Sequence, residues 1–202
     1  MLIDMHVHTI FSAGSLLAPE DLIEQAIELG LDGVCVMEHD SMLASETTEE
    51  FAEGSSVTVF RGVEASTDLG HILVYGVTVE QWRPYEKQKG IQAQKLLDMV
   101  QEWGAVAVPA HPFRFNSPAV GAKLETLVGI FAIEGLNGRC DSEENQLACQ
   151  AAERLNLKIT GGSDATTPGL LGSCLTEFDR QINTMAELVE EMKKGRFRAR
   201  YF

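Results

Sequence analysis

Apolar residues arrive along this chain in two alternating rhythms. Short runs such as "LIDM" (2–5), "GVCVM" (33–37), "SVTVFRGVE" (56–64), "HILVYGV" (71–77) and "AVAVPA" (105–110) have the length and branching of buried strands. Further strands are expected within "LVGIFAIEGL" (127–136), in "LKITGG" (157–162) and in "SCLTEF" (173–178). Between them the period changes to that of helices. "PEDLIEQAIELG" (19–30) has Leu22, Ile23, Ala26, Ile27 and Leu29 at helical spacing, with Pro19 near its start and Gly30 as its stop. Helices also follow from "IQAQKLLDMVQEW" (91–103), "SEENQLACQAAERLN" (142–156) and "MAELVEEMKKG" (185–195). Apolar strands alternating with helices predict parallel βα units covered on both faces. A turn through Asp68, Leu69 and Gly70 predicts that the fourth strand runs back against the third.

The pattern is unbroken by linker, repeat or low-complexity run, so a single domain over 1–202 is expected, an α/β fold better met by a closed or distorted barrel than by an open sheet. At 202 residues the chain supports one substantial core. A net charge of −14 argues against a general nucleic-acid binder. It leaves room for a small anionic substrate if bound cations reverse the local field. The Gly-rich phosphate loops of nucleotide folds are missing. Cys35, Cys140, Cys149 and Cys174 are widely spaced and read as reduced, mostly buried thiols. No export signal or membrane-spanning run is evident, and a cytoplasmic protein without membrane contact is expected.

The chemistry concentrates at strand ends. The chain has five histidines. His6 and His8 in "DMHVHT" are two apart, hence on one side of a strand. His39 ends "VMEHD", His111 follows "AVAVPA", and His71 opens the strand expected to run antiparallel. Glu64 ends "FRGVE", and Asp164 follows "KITGGS". A lone histidine at a strand end is usually a hydrogen-bonded structural residue. All the histidines at one rim, with two acids beside them, instead fit the mouth of a barrel and a metal centre. Imidazole nitrogens and carboxylate oxygens without thiolates suit Zn, Mn or Fe.

The ordered motifs "DMHVHT", "MEHD", "GVE", "HILVYG", "AHPFR", "GLNG" and "GGSDA" resemble the PHP-domain (polymerase and histidinol phosphatase) family, of the stand-alone phosphoesterase type. The resemblance runs through nearly the whole chain. It implies a distorted (β/α)7 barrel that binds up to three divalent metal ions and hydrolyses phosphoesters with a metal-activated water. It implies that His6, His8, Glu64 and Asp164 hold one ion, and that Glu64, His71 and His111 hold another, bridged by Glu64. His39 is left to the remaining site. There the chain departs from the family's pattern, with Ala13 where an acid is usual and Thr166 where a histidine is usual. Two firmly held metals and a weak or empty third position are therefore expected.

In that scheme Glu64, Asp164 and His39 are catalytic as well as ligating, and Arg114, three residues after His111, is placed to bind a substrate phosphate. Arg139, Lys158, Ser163 and Thr166 are weaker candidates. Asp4 and Asp40 are read either as hydrogen-bonding a ligand imidazole or as shaping strand ends. Gly161 and Gly162 are read as a tight turn beside Asp164. The expected partner is a small phosphorylated substrate, with oligomeric state unread. Two rivals remain: an amidohydrolase-like C–N hydrolase, for which no bridging lysine or second HxH pair stands out, and a catalytically weakened metal-binding or regulatory module.

Overall fold

The computed structural model describes residues 1–202. Its strands are β1 (Leu2–Val7), β2 (Gly33–His39), β3 (Thr58–Thr67), β4 (Gly70–Tyr75), β5 (Val106–Pro109), β6 (Ala132–Asn137), β7 (Lys158–Gly162), β8 (Cys174–Phe178) and β9 (Phe197–Tyr201). Its helices are α1 (Pro19–Glu28), α2 (Glu46–Phe51), α3 (Val79–Trp82), α4 (Ala93–Glu102), α5 (Ser142–Leu155) and α6 (Met185–Lys194). The architecture is α/β, with a curled seven-stranded sheet in the order β5-β4-β3-β2-β1-β8-β9 and a separate pair β6-β7. The pair fills the gap between the two flanks of the curl. The β7 end is tied to β1 where Asp164 N–H donates to the His6 carbonyl (2.7 Å) and His8 N–H to that of Ala165 (2.9 Å). The result is a distorted barrel whose wall is hydrogen-bonded shut at one mouth.

Local sequence explains the elements. The α1 helix starts on Pro19 and buries Leu22, Ile23 and Ala26, each large apolar side chain contributing about 1.5–3 kcal/mol. A reciprocal capping box between Asp141 and Glu144 opens α5, which ends on Asn156 in the left-handed conformation (φ 54°). The hairpin β3-β4 is antiparallel and pairs Thr67 with Gly70, which makes the turn Asp68-Leu69 as the sequence implies. Within the curl, Ile3, Met5, Met37, Phe60, Leu73, Tyr75 and Val108 form one buried cluster, which runs on to Phe178 and Met192.

Two features depart from the sequence reading. The C-terminal "FRARY" is a strand, β9, paired antiparallel with β8; its basic side chains alternate with the others, which hides a strand from a search for apolar runs. Gly161 and Gly162 are not a turn, since both lie in β7. They are glycine for lack of room: a Cβ on Gly161 would sit 2.4 Å from the Leu175 carbonyl oxygen, and one on Gly162 would sit 2.5 Å from His6 Cβ. The tight conformation belongs to Asp164 itself, at φ 53°.

Candidate metal centre

The sequence-predicted residues meet at the closed mouth. Strand β1 carries His6 and delivers His8 just beyond its end; β2 ends on His39, which pairs in register with Glu64 of β3. Ser66 of β3 pairs with His71 at the start of β4, because that strand runs the other way. His111 and Asp164 lie just past β5 and β7, both in the left-handed region (φ 29° and 53°). Such strained backbone is tolerated where the surroundings fix a side chain's aim.

The five imidazoles form a closed ring. Successive ring centroids are 5.0 Å apart from His6 to His8, 4.6 Å to His39, 5.2 Å to His71, 5.5 Å to His111 and 6.0 Å back to His6. Glu64, almost completely buried, stands at the centre of the ring. Its Oε2 lies 3.4 Å from His6 Nε2, 2.9 Å from His8 Nε2 and 3.2 Å from His39 Nδ1. Its Oε1 lies 2.8 Å from His71 Nδ1 and 3.1 Å from His111 Nε2. Asp164 Oδ1 closes the set at 3.5 Å from His8 Nε2. Burial by itself raises the Glu64 carboxyl, but His6 together with hydrogen bonds from His111, His6 and His71 outweighs it and holds the group well below the usual carboxylate range. Burial and the surrounding histidines lower His39 to about 4, against the pull of Glu64.

Three groups of donors lie within 4.8 Å of one another: His6, His8 and Asp164; His8, His39 and Glu64; and Glu64, His71 and His111. His39 therefore has Glu64 and His8 for company, in place of the near-isolation that Ala13 and Thr166 imply. Ala13 is exposed and Thr166 half-buried; the Thr166 carbonyl receives Leu16 N–H (2.8 Å). The donor set fits divalent cations on the geometry of this chain. His6 Nε2 and His8 Nε2 face each other at 3.0 Å, while the far nitrogens are engaged elsewhere, His6 Nδ1 with Glu134 (2.9 Å) and His8 Nδ1 with Ser12 (3.2 Å). Two converging imidazole lone pairs repel unless a proton or a cation lies between them.

Several polar residues surround the ring. Arg114 donates through Nη2 to both Asp164 Oδ2 and Asn137 Oδ1, at 2.5 Å each, and its buried Nε has no partner. Arg139 Nη1, half exposed, is 3.6 Å from Asp164 Oδ1. Glu134 and Asn137 of β6 were not singled out in the sequence, nor was Glu38. Glu134 accepts from His111 N–H (2.7 Å) and Asn137 Nδ2 (2.9 Å) besides His6. Glu38 accepts from Thr9 N–H (3.0 Å) and from the hydroxyls of Thr9 and Ser12. The available signal was an acid inside an apolar run, "FAIEGL" and "VCVMEH", since a buried carboxylate needs partners.

The two readings of Asp4 and Asp40 resolve to structure. Asp4 accepts from the backbone N–H of His6 (3.2 Å), Ser163 (2.8 Å) and Gly172 (3.0 Å), stitching β1 to the segments after β7 and before β8. Asp40 accepts from Ser66 N–H (2.6 Å) and Ser66 Oγ (2.8 Å). Ser163 caps the same turn through Ala165 N–H (3.1 Å), and Lys158 lies at the start of β7, the end away from the ring. All cysteines are free, Cys35 and Cys174 buried and the other two half-buried. A groove of about 730 Å³ lies away from the ring, lined in part by Phe60, Val77 and Thr184. Arg61, its one cation, is already satisfied by Ser45, Glu49 and the Met42 carbonyl.

The fold is a curled α/β barrel, and a histidine–carboxylate ring lies at its mouth. A family model described as PHP-associated matches residues 142–197, the stretch from the start of α5 to the start of β9. The uncharacterized protein MJ0417 of Methanocaldococcus jannaschii is 28% identical over 185 residues, spanning 88% of this chain and 70% of the relative. A two-domain Bacteroides vulgatus protein containing a predicted PHP-like metal-dependent phosphoesterase superposes with TM-score 0.76 at 19% identity, over 100% of this chain and 64% of that one. An amidohydrolase from Chromobacterium violaceum, with bound sulfate and no metal, superposes with TM-score 0.71 at 16% identity, covering 96% of both chains. No helix is long and apolar enough to cross a membrane.

Proposed function

We propose that this chain is a metal-dependent phosphoesterase acting on a small phosphorylated substrate. The observation that carries the reading is the closed ring of five imidazoles about Glu64, with Arg114 beside it. His6, His8 and Asp164 would hold one divalent ion and Glu64, His71 and His111 another, with Glu64 between them; His39 faces the same carboxylate. Bound divalent ions at such a centre lower the pKa of water and neutralise phosphoryl oxygens.

The chain's own residues supply the rest. Glu64, buried and ionised, offers one oxygen to each side of the ring. Asp164 fixes the opposite edge, and its contact with Arg114 keeps a guanidinium next to the place where an anion would dock. That guanidinium has a planar donor face suited to a phosphate. The walls exclude water from Glu64 and His111, so charge interactions there are weakly screened. The net charge of −14 favours a small phosphoester over a nucleic-acid backbone.

The test is a panel of phosphomonoesters, cyclic phosphodiesters and dinucleotides, with amide and cyclic-amide substrates alongside, each assayed with Mn, Zn or Fe after metal removal. Metal-restored release of phosphate or of a phosphomonoester supports the proposal. Turnover confined to C–N substrates would replace it with the amidohydrolase reading, and metal binding without turnover of any class would leave a binding module.

A further inference from the structure

Behind the ring lie two buried carboxylates for which the phosphoesterase reading has no use. Glu134 is 1% exposed and Glu38 is fully buried. Every contact to Glu134 comes from a donor. Its Oε2 accepts from the His111 backbone N–H and from Asn137 Nδ2, neither of which can accept in return. Its Oε1 faces only His6 Nδ1. The contacts therefore place the Nδ1 hydrogen of His6 on the Glu134 side and turn Nε2 into the ring.

His8 reaches the same state by a longer route. Ser12 Oγ has three partners: it donates to Glu38 Oε2, accepts from His39 N–H (3.0 Å), and meets His8 Nδ1 at 3.2 Å. A hydroxyl has a single hydrogen. Since that hydrogen goes to Glu38, His8 Nδ1 must donate, and His8 Nε2 is left as a lone pair. The two relays are independent in sequence, one from β6 and one from the loop after β1 with β2. They converge on Nε2 atoms 3.0 Å apart.

We propose that Glu134 and Glu38 are positioning residues that hold the His6–His8 pair in the Nδ1–H form, Glu134 directly and Glu38 through Ser12, so that both Nε2 atoms serve one divalent ion. Glu134 extends the same control to His111 by clamping its backbone N–H, which holds a residue at φ 29° in place. The inference rests on the ring being a metal centre and is independent of the reaction performed there.

The experiment uses the full chain freed of metal and titrated with zinc against a chromophoric chelator, with the nitrogens of 15N-histidine protein read by NMR once zinc is bound. Wild type is expected to show Nδ1–H on both His6 and His8. Glu134→Gln keeps the volume but has one acceptor oxygen for donors on two sides, so an –NH2 must face either His6 or the His111 amide. One zinc ion should bind about 10–100-fold more weakly, the usual cost of losing such an outer partner, with the melting temperature of the metal-free protein little changed. Ser12→Ala alters a loop rather than a strand and tests the His8 route without touching Glu134, with about tenfold weaker binding of the same ion expected; His39 Nδ1 and Nε2, read in the same spectra, report any effect of the lost His39 N–H bond. Wild-type zinc affinity in both variants, or an unprotonated Nδ1 on His6 in zinc-loaded wild type, would overturn the proposal. Intact relays in a protein that hydrolyses no phosphoester would overturn only the functional reading.

Discussion

Arg114 Nη2 donates to Asp164 Oδ2 and Asn137 Oδ1 at once, while the buried Nε of the same guanidinium has no partner. The arginine is thus anchored through Nη2 beside the carboxylate expected to hold a metal. Anchoring by Asp164 leaves fewer rotamers to lose when an anion docks.

Arg114→Ala should therefore act on substrate binding more than on metal binding. Losing a charge-assisted hydrogen bond of about 1.5–3 kcal/mol corresponds to a rise in KM of roughly 10–100-fold. Arg114→Lys should recover only part of it, since a point charge cannot span two oxygens. Steady-state kinetics on the best phosphoester, with metal content measured in parallel, provide the check. A variant that loses its metal together with its activity would assign Arg114 to the centre's integrity instead.

Glu64 touches all five histidines, so its charge cannot be removed locally. Glu64→Gln and Asp164→Asn should each lower bound metal and reduce turnover by at least about 10²-fold, the upper end of what the loss of a mere outer partner costs. Chelation of the wild type should abolish turnover, and adding back a divalent transition metal should restore it. Wild-type rates in both variants would remove the ring from the chemistry.

Apart from His71, the ring was legible in the sequence because its members sit at the ends of apolar runs, and parallel strands bring their ends to one mouth. His71 fitted for the opposite reason, on an antiparallel strand whose turn could be read. What stayed hidden was whatever depends on distance across the barrel. Asp4 bonds amides at Ser163 and Gly172, on the far side of the sequence, which no local pattern encodes. Glu134 lies inside "AIEGLN", where its neighbours announce a strand and conceal a buried charge. Gly161 and Gly162 looked like a turn, because a glycine pair before an acid carries the same local signature whether it bends or makes room.

That room is testable. A methyl on Gly161 would meet the Leu175 carbonyl of β8 and none of the ring. Gly161→Ala should destabilise the fold by about 1–3 kcal/mol, the usual cost of overpacking, while leaving metal stoichiometry intact. Urea unfolding of the metal-free and metal-loaded variant measures both quantities; stability equal to wild type would show that β7 and β8 separate without cost.

Away from the centre, Glu191 sets an acid dependence of stability. Its carboxylate is 1% exposed and receives Arg196 and Arg180, whose bonds lower it to about 2. Because the folded value lies below the unfolded one, near 4.5, the stabilisation is complete above that pH. It is lost as the pH falls through the interval down to about 2. Both arginines are close to half exposed, so solvent screening reduces the contribution to about 1 kcal/mol. Glu191→Gln should cost that much at pH 7 and almost nothing near pH 2, which denaturant midpoints at the two pH values will show. Equal losses at both would mean that packing, and not charge, is what Glu191 provides.

The number of ions is the sharpest remaining expectation. Ligands set occupancy, and the position built on His39 has Ala13 and Thr166 where the resemblance implies an acid and a histidine. The geometry gives His39 the company of Glu64 and His8, yet the groups containing His6, Asp164, His71 and His111 already draw on those two residues. Competition for shared donors favours two firmly held ions over three. Elemental analysis after gentle desalting should return two per chain, with anomalous scattering placing them at the His6–His8–Asp164 and Glu64–His71–His111 groups. Replacing Ala13 by Asp and Thr166 by His should raise the count toward three. Three full ions in the unaltered chain would show that His8 is shared between two metals, and that the substitutions at 13 and 166 cost the centre nothing.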